Sequence, residues 1–267
     1  MHVSQLFDLK GRVGLVIGGA RHLGYDMAEA LAEAGASMIL TSRDAEAARL
    51  AAEKLSSSTG VETTSLALDH REHANVKVAL AKAHRWKGRI DIVINNAGGG
   101  GAGTGPALLL ERDPRTVEEL IATNLTGTLH CCQEAARVMA PQKSGKIINV
   151  ASIAGLVGRD RRMYARNQMR GQPIDYAAAK AGIIGLTRDL AGLLGPMGIC
   201  VNCISPGGFA RNLPAGFIRD YSDRTPLGRM GRDGIDLKGA ALFLASAASD
   251  YVTGHNLVVD GGFSTWQ

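Results

Sequence analysis

Short aliphatic runs alternate with helix-period segments along the whole chain. VGLVIGG at 13–19 precedes an Ala/Glu-rich amphipathic stretch, SMILTS at 37–42 precedes DAEAARLAAEKL, and TTSLALD at 63–69 precedes a segment reaching Trp86. IDIVINNAG at 90–98 leads into PRTVEELIATNL and onward, KIINVAS at 146–152 into a helix from about Asp175, and ICVNCISPGG at 199–208 into a helix near Asp236, before NLVVDGG at 256–262. Strands of period two interleaved with segments of period 3.6 predict a seven-stranded parallel sheet with helices on both faces. The strands are almost continuously apolar, as burial on both faces requires. In such a doubly wound α/β fold ligands sit beyond the carboxyl ends of the strands, so the loop after each strand is a candidate site.

Length changes this picture little: 267 residues suit one large α/β domain spanning 1–267, with no repeat or linker to divide it. The balance of 30 Lys+Arg against 25 Asp+Glu gives a net charge of +5, but the charges are spread out except near residue 160. No nucleic-acid partner is expected from that distribution. No stretch has the length and apolarity of a membrane span. The start, MHVSQLFDLKGRVGLV, runs straight into a glycine turn without a cleavage site. Cys131, Cys132, Cys200 and Cys203 sit in apolar stretches without the spacing of a disulfide framework, so we read them as core thiols of a cytoplasmic protein. The histidines form no ligand cluster, and no catalytic metal is expected.

Candidate chemistry begins at VIGGARHLGYDMAEALAEAGA, residues 16–36, where a strand meets glycines and then an amphipathic helix. Free amides and the dipole at such a helix start hold a pyrophosphate. Gly18 and Gly24 fit Gly-x-x-x-Gly-x-Gly, with His22 in the place of its middle glycine. A non-glycine residue is tolerated there if φ is negative, with the imidazole on the adenosine side of a dinucleotide. Further along stand Asn95-Asn96-Ala97-Gly98, Asn124 in TNLTGT, Ser152 in INVASIAG, and Tyr176-x-x-x-Lys180 in DYAAAKAG. In this order and over nearly the whole chain, these pieces resemble the short-chain dehydrogenase/reductase family. The resemblance implies a single-domain Rossmann-type fold and an oxidoreductase transferring a hydride between a nicotinamide cofactor and a secondary alcohol or ketone. Ile17 departs from the family's threonine before the first glycine.

Physical chemistry supplies roles for the matched residues. Tyr176 and Lys180 are one helical turn apart and share a face. A phenol of pKa about 10 is a poor base at neutral pH, and a lysine ammonium beside it favours the phenolate. Tyr176 then acts as general base in oxidation and general acid in reduction, while Ser152 holds the substrate oxygen. The resemblance adds that Lys180 binds the nicotinamide ribose and that Asn124 supports a water relay. The second strand ends in Thr41-Ser42-Arg43 with no acid before Asp44, so Arg43 and Arg21 can grip a 2′-phosphate. NADP(H) is the expected cofactor, with NAD as the alternative. Asp69 resembles the family's adenine-contacting acid, and an acid ending a strand is as often a helix cap. The full expected cofactor set is Gly18, Arg21, His22, Leu23, Ser42, Arg43, Asp69, Asn96, Ala97, Gly98, Tyr176, Lys180, Pro206, Gly207 and Phe209.

Two departures bear on the substrate. A loop insertion at 156–174 separates Ser152 from Tyr176 by more residues than the family commonly has. Tyr164 lies nearer the usual distance but has Gln168, not a lysine, four residues on. The insertion carries Arg159, Arg161, Arg162, Arg166 and Arg170, able to select a carboxylate or phosphate, although most are expected to be solvated or in subunit contacts. After Pro206-Gly207 the family often has a threonine; here Arg211 stands in PGGFARN, in reach of a pyrophosphate or an anionic substrate. The expected substrate is a small polar or sugar-like alcohol or ketone, with 3-oxoacyl thioester reduction as the alternative. A reading from a different class is a dinucleotide-binding sensor or scaffold without catalysis. The resemblance also implies a homotetramer or homodimer packed through helices around 115–140 and 176–195.

Overall fold

The structure, a computed structural model, describes residues 2–99 and 108–266. In chain order the elements are α1 (Val3–Leu6), β1 (Val13–Ile17), α2 (His22–Glu33), β2 (Ser37–Ser42), α3 (Ala45–Thr59), β3 (Thr63–Ala67), α4 (His73–Lys87) and β4 (Ile92–Asn95). There follow α5 (Pro114–Ile121), α6 (Gly127–Gln142), β5 (Gly145–Val150), α7 (Arg161–Arg166), α8 (Ile174–Leu194), β6 (Ile199–Pro206), α9 (Ala215–Asp223), α10 (Lys238–Ala245) and β7 (Asn256–Val259). The strands form one parallel sheet of seven in the order β3-β2-β1-β4-β5-β6-β7. All seven strands lie where the apolar runs place them. The short α7 and the helix α9 emerge only in the structure.

Alternation along each strand sends side chains to opposite faces. Val16, Met38, Leu40, Ile94 and Ile148 pack with Met27 and Leu31 of α2 and Leu244 of α10. Leu15, Ile17, Ile39, Val93 and Ile147 pack on the other face with Leu80 of α4, Ala135 of α6 and Leu194 of α8. The connection reverses direction between β1 and β4, whose register pairs Ile17 with Asn95, and Asn95 pairs in turn with Asn149 of β5. The carboxyl ends of these three strands therefore open side by side, at the point where such sheets leave a crevice for a ligand. A smaller cluster of Met163, Phe217, Tyr221, Met230 and Phe263 ties α7 and α9 to the C-terminal segment.

Candidate active site

The turn after β1 is pinned from both sides. Gly18 has φ +77°; its N–H donates to Thr41 Oγ1 at 3.2 Å and its carbonyl accepts from Asn96 Nδ2 at 2.8 Å. Gly19 N–H donates to the Thr41 carbonyl at 3.0 Å. A Cβ on Gly24 would collide with the Gly18 carbonyl and stand 2.5 Å from Asn96 Nδ2, and one on Gly18 would stand 2.8 Å from Ala97 Cα. Only glycine allows the first turn of α2 to close this tightly on the β1 and β4 loops. The Arg21 side chain does not cap that helix, which leaves first-turn amides at His22, Leu23 and Gly24 for an anion. At the neighbouring strand end Arg21 and Arg43 are exposed, and among the described residues neither has a carboxylate in ion-pair range. Ser42 Oγ accepts from Asp44 N–H, and Asp44 caps α3 by accepting from Glu46 and Ala47 N–H at 2.9 and 3.1 Å. The one acid near the end of β2 is thus already spent. The residues present fit a phosphorylated dinucleotide.

The reacting end assembles around α8. Tyr176 and Lys180 are 7% and 4% exposed, and the Lys180 ammonium donates to the Val150 carbonyl at 2.7 Å. Ser152 follows β5 and caps a short 3₁₀ turn, its Oγ accepting from Ala154 N–H at 3.1 Å. That turn rests on α8 because Gly155 has no side chain: a Cβ would lie 2.6 Å from Ala181 N. Asn124 sits in a π-helical segment, Ala122–Thr126, between α5 and α6. Its Oδ1 accepts from Gly99 N–H at 2.9 Å, and its Nδ2 donates to the Gly99 and Leu120 carbonyls, both at 3.1 Å. Gly98, at φ +147°, passes so close that a Cβ there would stand 2.6 Å from Asn124 Oδ1 and 3.7 Å from Lys180 Nζ. Beneath the site Asn95 Nδ2 donates to Asn149 Oδ1 at 2.8 Å and Asn149 Nδ2 to Thr187 Oγ1 at 3.0 Å, locking α8 onto β4 and β5. The signal for that ladder was an asparagine in the apolar run KIINV. Thr41, Asn149, Gly155 and Thr187 are supporting residues outside the expected site set.

The chain matches the family described as enoyl-(acyl carrier protein) reductase over residues 18–264. It belongs to the short-chain dehydrogenase/reductase family. Among its relatives is the 3-oxoacyl-[acyl-carrier-protein] reductase of Chlamydia muridarum, 35% identical over 96% of this chain and 98% of that protein. The 5-keto-D-gluconate 5-reductase of Escherichia coli strain K12 is 33% identical over 97% of this chain and 98% of its own. Among solved structures, a gluconate 5-dehydrogenase from Burkholderia cenocepacia J2315 in complex with NADP and tartrate superposes with TM-score 0.89 at 34% identity, covering 100% of both chains. This short-chain dehydrogenase is accordingly an oxidoreductase acting between alcohol and carbonyl groups.

Its structure corrects two expectations, on His22 and Lys180, and gives Asp69, Arg211 and Phe209 partners within the chain. His22 has φ +52°, in the left-handed region and not the negative-φ region that would make it free of strain. Lys180 sits 5.7 Å from the Tyr176 ring centroid and points to Val150; burial raises the phenol pKa, and the groups drawing it down are the Ser152 hydroxyl and the Arg159 guanidinium. Burial also lowers Lys180 to about 8, with no carboxylate among the described residues to offset it. Asp69 is held at about 2 by Arg71, whose Nε donates to Oδ1 at 2.9 Å, so in this state it is an ion-pair partner. Arg211 is paired with Asp233 through two bonds of 2.5 Å, which occupy its charge in this state. Phe209 buries its ring against Gly231, where a Cβ would stand 2.8 Å from the ring, leaving only its backbone for a cofactor. Beside it Gly207 N–H donates to the Val259 carbonyl at 3.0 Å, just after Pro206 at the end of β6. The competing tyrosine, Tyr164, packs on Phe217 at 5.0 Å in the small third cluster.

Proposed function

We propose that this dehydrogenase interconverts a secondary alcohol and a ketone on a small polar substrate, a sugar acid or polyol, using NADP(H). The observation that carries the reading is the convergence of Ser152, Tyr176 and Lys180 at the carboxyl end of β5, across Gly98 from the uncapped start of α2. The gluconate and keto-gluconate enzymes among its relatives support the substrate class. The turn at Gly18 and the amides of His22 and Leu23 would hold the pyrophosphate, with Asn96 and Ala97 as the wall. Ser42, Arg43 and Arg21 would hold the 2′-phosphate. Pro206, Gly207 and the Phe209 backbone would line the nicotinamide end. When bound, the cofactor supplies or accepts the hydride at the substrate carbon.

The chain's own residues manage the proton and the developing charge. In oxidation the Tyr176 oxygen takes the hydroxyl proton of the substrate, and in reduction it returns a proton to the carbonyl oxygen. The Ser152 hydroxyl donates to that same oxygen as negative charge grows on it. Lys180, whose ammonium donates to the Val150 carbonyl and is lowered to about 8 by burial, would hold the nicotinamide ribose. Asn124 acts as a positioning residue through Gly99. Replacing Tyr176 by Phe is expected to lower turnover, followed by nicotinamide absorbance with 5-keto-D-gluconate and related ketones, by about 10²- to 10⁴-fold. Cofactor affinity is expected to stay within about twofold. A Tyr176→Phe enzyme as active as wild type overturns the assignment. A second reading, reduction of 3-oxoacyl thioesters, is favoured by the Chlamydia relative, and acetoacetyl thioester in the same assay separates the two.

The chain also reads as one domain, cytoplasmic and assembled as a homotetramer or homodimer. Four free thiols support a reducing compartment. Leu129 of α6 and Leu193 of α8 are 44% and 61% exposed, apolar positions on the two helices that a neighbouring subunit would cover. No helix among the described residues is long and apolar enough to cross a membrane. Light scattering of the purified protein tests the assembly.

A further inference from the structure

Of the five arginines in the 156–174 insertion, four face solvent. Arg161, Arg162, Arg166 and Arg170 are exposed; Arg162 pairs with Asp160 and Arg166 with Asp220, while Arg161 Nη1 donates to the Gln172 carbonyl at 2.9 Å. Arg159 turns inward. Its Nη1 donates to the Gln172 carbonyl at 3.0 Å and touches that of Pro173 at 3.5 Å, and its Cζ stands 5.6 Å from the Tyr176 ring centroid. Its Nη2 is buried and has no hydrogen-bond partner among the described residues, and no described carboxylate lies in ion-pair range. Burial depresses the guanidinium, and among the described residues the groups that act to raise it are the phenols of Tyr164 and Tyr176. A half-buried cation without a counter-ion is unfavourable, and an unpartnered buried N–H edge adds to that. The Gln172 and Pro173 carbonyls thus hold Nη1, and the unpartnered Nη2 belongs to a guanidinium whose carbon lies 5.6 Å from the ring of the reacting tyrosine.

We propose that Arg159 is the anion subsite for the substrate: its free Nη2 edge takes a carboxylate or phosphate carried by the alcohol or ketone, and so sets the reacting carbon against Tyr176. The proposal rests on the oxidoreductase reading above and names the substrate's second recognised group. A planar guanidinium held through Nη1 suits an oxyanion better than a hydroxyl, because a charge-assisted bond there also neutralises the half-buried cation. Anion binding also cancels the pull of Arg159 on the Tyr176 phenol, so the subsite and the proton-transfer residue are electrostatically linked.

Three ligands of matched carbon chain test this: D-gluconate, D-sorbitol 6-phosphate and uncharged D-sorbitol, titrated calorimetrically into the NADPH-loaded enzyme, where alcohols bind without turning over. At least one anion is expected to bind about 10- to 100-fold tighter than sorbitol in the wild type. The identity of that anion tells carboxylate from phosphate. The margin is expected to fall to about threefold or less in Arg159→Met and to return in part in Arg159→Lys, whose retained charge keeps the test readable if the Met variant folds poorly. Arg161→Met, at an exposed neighbour, is expected to keep the full margin. Equal binding of all three ligands, no binding of any, or a margin surviving in Arg159→Met overturns the subsite. If wild type still turns over uncharged polyols, that failure leaves the proposed function standing. Absence of turnover with every alcohol and ketone offered is instead the failure of the function itself.

Discussion

His22 and Lys180 each hold an unfavourable state that the surrounding structure enforces. At φ +52° His22 occupies the region where a side chain costs about 1–2 kcal/mol, although histidine enters it more readily than most residues. Glycine lacks that penalty but loses more chain entropy, so His22→Gly is expected to raise stability by a net of about 0.5–1 kcal/mol, read from the urea midpoint. Cofactor affinity is expected to change little, since the amide and not the imidazole faces the anion. Lys180 titrates at about 8 in the folded protein and near the ordinary lysine value when unfolded. Below about pH 8 both states are protonated and the folded state carries the full burial penalty. Above that pH the native state sheds its proton first, so wild-type stability rises with pH until the unfolded lysine also titrates. Without cofactor, Lys180→Met is expected to lack this rise, and wild type to gain about 2–3 kcal/mol on it between pH 7 and 10.5 in urea unfolding. A constant difference across that range contradicts the burial assigned to the ammonium.

At the scale of elements, the π-helical segment between α5 and α6 does what a regular helix does not. One extra residue in the turn aims Asn124 at the Gly98–Gly99 backbone while Leu120 and the start of α6 stay packed. Asn124→Ala removes a buried bond to the Leu120 carbonyl, while the N–H and carbonyl of Gly99, which is exposed, can turn to water instead. A stability loss of about 0.5–1.5 kcal/mol is expected in urea unfolding. Turnover is expected to fall by about tenfold or more with 5-keto-D-gluconate, through displacement of the loop. The spacing TNLTGT marked Asn124, but a π turn has no sequence period of its own, so its side-chain use was not legible. Helices α7 and α9 were missed for a related reason: they bury their apolar residues in a small cluster shared with the C-terminal segment, and neither shows a stripe facing the sheet.

For the whole molecule, the order β3-β2-β1-β4-β5-β6-β7 brings a phosphate cradle and a proton-transfer group to one edge from opposite halves of the chain. A ligand that bridges them stabilises the folded state by mass action, by about 2.7 kcal/mol at 100 times its dissociation constant. NADPH is therefore expected to raise the melting temperature more than NADH at equal concentration. Arg43→Ala is expected to remove most of that difference, and an equal shift from both cofactors in wild type refutes the 2′-phosphate site.

The periods of apolar residues and the order of the glycine, asparagine, serine, tyrosine and lysine motifs were enough to determine the parallel sheet, its strand ends and the residues that meet there. The sheet and its strand ends follow from local properties, since strand and helix faces repeat at fixed intervals and a parallel sheet puts every loop after a strand on one side, whereas the site residues were named through the family resemblance of their motifs. Tertiary structure decided what those side chains touch. It turned Lys180 to the Val150 carbonyl, took Asp69 and Arg211 into ion pairs, set His22 in a left-handed conformation and selected Arg159 from five similar arginines as the half-buried one with a covered, unpartnered Nη2. Charge and burial arise from residues distant in sequence, and a pKa or an unpaired N–H exists only once the chain has brought them together.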